Sequence, residues 1–185
     1  HRLLPSEVPY SANIYALKAL GAKHIVSISA VGSLKEEIHP QHVVIPDQLI
    51  DRTSGRQNTL FGNGIAVHVS FSDPYCDKLR LTLSNICSDL FVPAHYGGTY
   101  LTMEGPQFST KAESHLYRSW GADIIGMTAI PEAKLAREAE MCYVTVAMVT
   151  DFDCWKENES VVTAEMIVEN LTKNVEISRN IVRKL

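Results

Sequence analysis

The amino-acid sequence predicts an α/β domain, a central β-sheet flanked by helices. Short, apolar, β-branched runs alternate with stretches of helical period along the chain, and strand, turn, helix is the recurring order. The 185 residues are 45% hydrophobic and 21% charged, which suits one globular domain. A domain of roughly 150 residues or more buries about 70% of the surface its unfolded chain exposes, so one sizeable core is expected. No internal repeat or low-complexity segment interrupts the pattern.

From Ser11, the residues Ile14, Leu17 and Leu20 recur at helical spacing, and Gly21 is placed to end that helix. His24 to Val31 is short and β-branched and leads into Gly32-Ser33, a buried strand ending in a tight turn. Val43-Val44-Ile45-Pro46 and Ile65-Ala66-Val67-His68-Val69 read as further strands, separated by a polar loop holding Gly55, Gly62 and Gly64. Cys76 to Leu90 has helical character. A strand from Gly98 to Met103 meets Glu104-Gly105-Pro106, and Lys111 to Trp120 is a helix that stops at Gly121. Asp123 to Met127 is a strand, Pro131 to Glu140 a helix, and Tyr143 to Thr150 a strong buried strand. The last element is a long amphipathic helix, with Met166, Ile167, Leu171, Val175, Ile177 and Ile181 recurring every three or four residues.

The formal charge of -4 comes from 17 basic and 21 acidic residues, with no basic run that could follow a phosphate backbone, so nucleic acid is not an expected partner. Cys76, Cys87, Cys142 and Cys154 form no CxxC pair, and buried free thiols in a reducing compartment are expected. A structural zinc site is not. No stretch approaches the ~20 apolar residues of a membrane-spanning helix, and the start has no signal-peptide layout, so no membrane association and a cytoplasmic location are expected. The chain begins at His1 without a methionine, and an N-terminal portion is expected to precede it.

In open α/β sheets ligands bind beyond the carboxyl ends of strands. Four strand ends stand out: Ser29-Ala30-Val31-Gly32-Ser33, Met103 to Ser109, Gly126-Met127-Thr128, and Thr150-Asp151-Phe152-Asp153. Each alone has a plain structural explanation. Gly32-Ser33 serves as a turn, Phe108 as core, and Asp151 or Asp153 as a loop cap.

Their joint order is more specific. His1 to Asn13, Ser29 to Ser33, Asp47 to Thr53, Glu104-Gly105-Pro106-Gln107-Phe108-Ser109, Trp120 to Asp123, Gly126 to Glu132 and Thr150 to Trp155 run in sequence over nearly the whole chain. This order resembles the trimeric purine nucleoside phosphorylase family, and within it the methylthioadenosine phosphorylase branch. The resemblance implies a mixed central β-sheet of nucleoside phosphorylase type spanning residues 1–185. It also implies a reaction in which phosphate attacks C1′ of a purine nucleoside. Inorganic phosphate would be the co-substrate, with no metal and no organic cofactor.

The family's phosphate site would include Ser29, Ala30 and Thr128, with a helix N-terminus near Pro131-Glu132 adding a favourable dipole. Hydroxyls satisfied by their own backbone are the alternative for Ser29 and Thr128. Met127 resembles the methionine that lies against the ribose, and Phe108 the aromatic that stacks on the purine. Ala164, Ile167 and Val168 correspond to an apolar wall around the 5′ substituent. His68 resembles a histidine sent into a neighbouring subunit's site, which implies a homotrimer; a histidine on a strand is as often merely packed or solvated.

Relatives acting on 6-oxopurines place asparagine and glutamate where this sequence has Asp151 and Ser109. An aspartate accepts from an exocyclic amino group and repels a purine O6, so adenine is the favoured base. Asp151 would also donate a proton toward N7, with Asp153 orienting it and accepting from N6. The alternatives are a 6-oxopurine or methylthioinosine phosphorylase, or a non-catalytic nucleoside-binding fragment. The family carries further elements at both ends, among them an Arg-His-Gly motif and a C-terminal helical tail. The domain is accordingly expected to be incomplete at both ends.

Overall fold

The computed structural model describes residues 2–156 and 164–185, the side chains of 164–167, 169, 171 and 173 excepted. Among the described residues the strands are β1 (His24–Ser33), β2 (Val43–Ile45), β3 (Gln48–Arg52), β4 (Ala94–Tyr96), β5 (Thr99–Met103), β6 (Ile124–Gly126) and β7 (Cys142–Asp151). The helices are α1 (Tyr10–Ala19), α2 (Asp77–Asp89), α3 (Lys111–Ser119), α4 (Ala129–Glu138) and α5 (Ala164–Lys184). One mixed sheet has the order β3-β5-β6-β1-β7-β2-β4. The β1–β7, β5–β6, β3–β5 and β2–β4 pairs are parallel, while β1–β6 and β2–β7 are antiparallel.

The core follows from alternation along β7. Val144, Val146 and Met148 pack with Leu83 and Ile86 of α2 and Ile181 of α5. Tyr143 turns to the opposite face and packs with Tyr10 and Ile14 of α1 and Leu135 and Ala136 of α4. A strand covered on both faces is apolar nearly throughout, as β7 is. Helix α3 starts with a capping box: Thr110 accepts from the Glu113 N–H, and Glu113 accepts in return from the Thr110 N–H.

The structure corrects the expected elements at several points. Ile65 to Val69 forms no strand. Ile65, Val67 and Val69 are all exposed and only an isolated Gly62–Ile65 bridge marks the segment, so the alternation has no sheet to bury against. Strands β3 and β4, not anticipated, are the two edges of the sheet, where a strand can be short and polar. Strand β1 runs on to Ser33, so Ser29 and Ala30 lie within it rather than at its end. Helix α4 is interrupted at Ile130, whose backbone is extended, and the regular helix follows Pro131. All four cysteines are free; Cys87 is buried and the others are half-buried, not uniformly interior. No helix among the described residues is long and apolar enough to cross a membrane.

Candidate active site

Strand β1 is paired with β7 along its length but with β6 only at Gly32 and Ser33. Beyond Ile125 the antiparallel register would carry Thr128 opposite Ser29. The ladder does not continue, yet the two side chains meet: Ser29 Oγ lies 2.9 Å from Thr128 Oγ1 and 3.1 Å from the Tyr100 hydroxyl. Both hydroxyls thus stand on diverging backbone, beside Ala30 and ahead of the extended break at Ile130. Paired hydroxyls next to a helix start can offer hydrogen bonds to an anion.

On the other side of β1, a bulge falls between Val31 and Gly32: Val31 pairs with Val149, and Gly32 with Asp151. The extra residue, Thr150, bends β7 and re-aims Asp151 toward Gly32. A Cβ at residue 32 would stand 2.9 Å from Asp151 Oδ1 and 3.4 Å from the Asp153 Cβ, so the close approach requires glycine there.

Asp151 is buried and bonded at both oxygens. Its Oδ2 accepts from Thr150 Oγ1 at 2.7 Å, and its Oδ1 accepts from the Asp153 N–H at 2.7 Å. Thr150 Oγ1 also lies 3.1 Å from the Val31 carbonyl. A protonated Oδ2 can therefore reverse its bond, donating to Thr150 while Thr150 gives its own proton to Val31. Burial pushes the Asp151 carboxyl up, against the Thr150 hydroxyl and the Asp153 N–H, and the nearby Asp153 charge pushes the same way. Asp153 has a left-handed backbone, and Ser114 Oγ on α3 donates to its Oδ2. Burial raises its carboxyl too, more than Ser114 and the Cys154 N–H lower it. Two carboxyls raised by desolvation at one strand exit form an acid–base candidate.

The third side is built by β5 and β6. A Cβ at Gly105, which has φ of +71°, would meet Met127 Sδ at 2.6 Å, so the loop after β5 leans directly on Met127. The same loop carries Phe108, 44% exposed and open on one face, and Ser109, whose carbonyl accepts from Cys154 Sγ. Arg56 joins the two exits. Its Nη1 donates to the carbonyls of Met127 and Ile130, each at 2.6 Å, and its Nη2 to those of Glu104 at 2.6 Å and Met103 at 3.2 Å.

With this geometry in place, comparison with known proteins decides the family. A profile described as "Phosphorylase superfamily" matches residues 1–185. The chain belongs to the phosphorylase superfamily. Within it, the chain is 57% identical over 184 residues to the S-methyl-5′-thioadenosine phosphorylase of Koribacter versatilis, covering 100% of this chain and 63% of that protein. It is 54% identical to the Geobacter sulfurreducens enzyme of the same name, covering 99% and 64%. This superfamily member therefore spans under two thirds of the length of these curated relatives. Among solved structures, a methylthioadenosine phosphorylase from an antarctic soil metagenomic library superposes with a TM-score of 0.94 at 53% identity, covering 100% of this chain and 65% of that one. A Schistosoma mansoni methylthioadenosine phosphorylase in complex with adenine gives 0.96 at 36% identity, covering 100% and 71%.

In this phosphorylase-superfamily fold the expected residues sort by place. Ser29 and Ala30 lie within β1 with Thr128 beside them, Asp151 and Asp153 lie at the β7 exit, and Met127, Phe108 and Ser109 sit on the β5 and β6 exits. Val168, on α5, is 54% exposed. The helix below it is tied to β7, because Asn170 Nδ2 donates to the Thr150 carbonyl at 2.7 Å and Asn174 Nδ2 to that of Val149 at 3.2 Å. The side chains of Ala164 and Ile167 lie outside the described residues. His68 sits on the exposed segment that forms no strand. Among the described residues no group of three or more His, Cys, Asp or Glu side chains could hold a metal ion.

Sequence reasoning missed Arg56, Ser114 and Thr150. Thr150 stood in a quoted motif without a role. Ser114 reads in sequence as an ordinary helical serine, and Arg56 as a charge in a polar loop.

Proposed function

We propose that the protein catalyses phosphorolysis of 5′-methylthioadenosine, giving adenine and 5-methylthioribose 1-phosphate. The observation that carries this is the carboxyl pair at the β7 exit, Asp151 buried and Asp153 half-buried. It stands one strand away from the hydroxyl pair made by Ser29 of β1 and Thr128, the residue before α4. The names of the relatives support the same reading, as does the crystal complex of a Schistosoma mansoni variant with methylthioadenosine.

In this reading phosphate sits against Ser29, Ala30 and Thr128 and attacks C1′ while the C1′–N9 bond breaks. The bonding pair passes to the purine, and Asp151 delivers a proton to N7. The sugar is cationic in the transition state, and the anion beneath C1′ stabilises it. Asp153 accepts from N6, which selects adenine over bases that carry an oxygen there. Phe108 stacks on the purine and Met127 packs on the ribose. Val168 faces the methylthio group. Inorganic phosphate is the co-substrate; the reaction needs no organic cofactor or metal, since phosphate is the nucleophile and a side chain is the acid. We assign residues 1–185 to a single phosphorylase domain of a cytoplasmic homotrimer, with His68 reaching a neighbouring subunit's 5′ region.

The deciding experiment compares base release from methylthioadenosine, adenosine and inosine by the intact protein with and without phosphate. Phosphate-dependent adenine release, fastest from methylthioadenosine, is expected. Faster release of hypoxanthine from inosine, or release without phosphate, overturns the assignment.

A further inference from the structure

We infer that Arg56 is a positioning residue of this site, holding the exits of β5 and β6 at the separation that a bound ribose requires. The inference rests on the phosphorolysis reading for what is bound, but its structural content stands on the guanidinium itself. That side chain is 1% exposed, and its donors all point to atoms of two segments. Nη1 closes on Met127 and Ile130, Nη2 on Met103 and Glu104, and Nε on Glu104 Oε1 at 3.2 Å.

Such a fork is planar and rigid, so it fixes the spacing of the groups it joins as a lysine ammonium cannot. The carbonyls it engages lie where the ladder between β5 and β6 stops: Thr102 and Gly126 are its last pair, although β5 stays paired with β3 through Met103. The fork adds a hydrogen bond to each of these carbonyls, the Ile130 one buried and the others partly so, and beside it Gly105 packs on Met127. Glu104 completes the latch. Its Oε2 accepts from the backbone N–H groups of Ser54 and Gly55, which fastens the loop that carries Arg56 to the segment that Arg56 grips. Burial alone would raise the Glu104 carboxyl, and these N–H groups with Arg56 outweigh it, holding the carboxyl below its ordinary range. Arg56 thus acts through Met127, on the ribose side, with Glu104 anchoring the loop that carries the guanidinium.

The test uses Arg56→Lys in the intact protein, with Arg56→Ala as the stronger variant if it folds. Amide exchange should show residues 103–105 and 127–130 losing protection together, by about tenfold or more, while β7 keeps its own. Methylthioadenosine should bind about tenfold more weakly with free adenine changed less than about threefold, and turnover should fall by about 10²-fold, the scale of an ångström-sized misplacement. Methylguanidinium added to Arg56→Ala should restore part of that turnover. Unchanged exchange at both exits overturns the inference. So does an equal loss of nucleoside and adenine binding in a folded variant, the mark of general destabilisation. If the unsubstituted protein releases no base from any nucleoside, the proposed function falls, and the exchange result still decides whether Arg56 couples the two exits.

Discussion

Ser114 on α3 donates its hydroxyl to Asp153 Oδ2, so a carboxyl at the exit of β7 is aimed by a helix separated from that strand by two elements, β6 and α4. Ser114 is fully buried and packs at the start of α3, one residue after the capping-box glutamate. The cap therefore fixes not only the helix but the direction from which Asp153 is held.

Replacing Ser114 by alanine should leave the fold intact and release Asp153 to other rotamers. A hydrogen bond to a charged group is worth about 1.5–3 kcal/mol, so kcat/KM for adenine release should fall about tenfold to a hundredfold. The ratio of methylthioadenosine to methylthioinosine turnover should narrow as well. An unchanged ratio would show that Asp153 does not read the base through this contact.

Asp151→Asn should trade activity for stability. Loss of the general acid should slow adenine release by about 10²-fold. The stability change has the opposite sign. The Asp151 carboxyl is raised above its ordinary value of 3.8, so between that value and the raised one the folded state holds more protons than the unfolded state. Stability from this group therefore falls as pH rises through that window, and at pH 7 the buried charge is a net cost. Removing it should raise the ligand-free melting temperature at neutral pH by about 2–4 °C, a gain of roughly 1 kcal/mol for a chain of this size. Melting the two proteins at pH 7 checks this, and a lower melting point for the variant would count against a desolvated carboxyl.

The same protonation sets the pH profile. Adenine release needs the proton on Asp151, so the rate should decline as pH rises through the raised value. Thr150 lowers that value by donating to the ionised form. Thr150→Val should accordingly move the declining limb to higher pH, read from kcat/KM across a buffer series. A limb displaced to lower pH would mean that Thr150 stabilises the neutral acid instead.

Val168→Asp tests the apolar wall. An apolar contact to the 5′ group contributes ~1–3 kcal/mol of discrimination, so the preference for methylthioadenosine over adenosine should shrink by about tenfold or more. Equal specificity constants for the two nucleosides in the unsubstituted protein would remove the premise.

The interior was legible in the sequence where burial is two-sided. Tyr143 to Val149 admits no solvent face, and its apolar run announces β7. The sheet's edges were not legible, because Gln48 to Arg52 has only two adjacent apolar residues followed by two charges, with no strand period, and only pairing with β5 makes it a strand. Ile65 to Val69 has the period of a strand and no neighbour to pair with, a reminder that alternation specifies a face but not a partner. In the site, Asp151 was legible as the end of a strand and Thr128 as the residue after one, whereas Ser29 lies inside β1, which runs four residues beyond it to Ser33. Arg56 was not legible, because its partners are backbone carbonyls, which leave no mark in a sequence.

Asn170 and Asn174 give β7 an attachment that no neighbouring strand supplies: two side-chain amides grip the carbonyls of Val149 and Thr150, just ahead of Asp151. Helix α5 and the last residues of β7 consequently form one mechanical body, with the amides as rivets and the acid at its tip. In the proposed reaction, a group seated near Val168 would bear on Asp151 through these two amides, by contact rather than through charge. The proposed 5′ pocket is thus the handle of the lever whose other end carries the proton, and a poorly seated substituent is felt as a misaligned acid even when the purine itself is correctly bound.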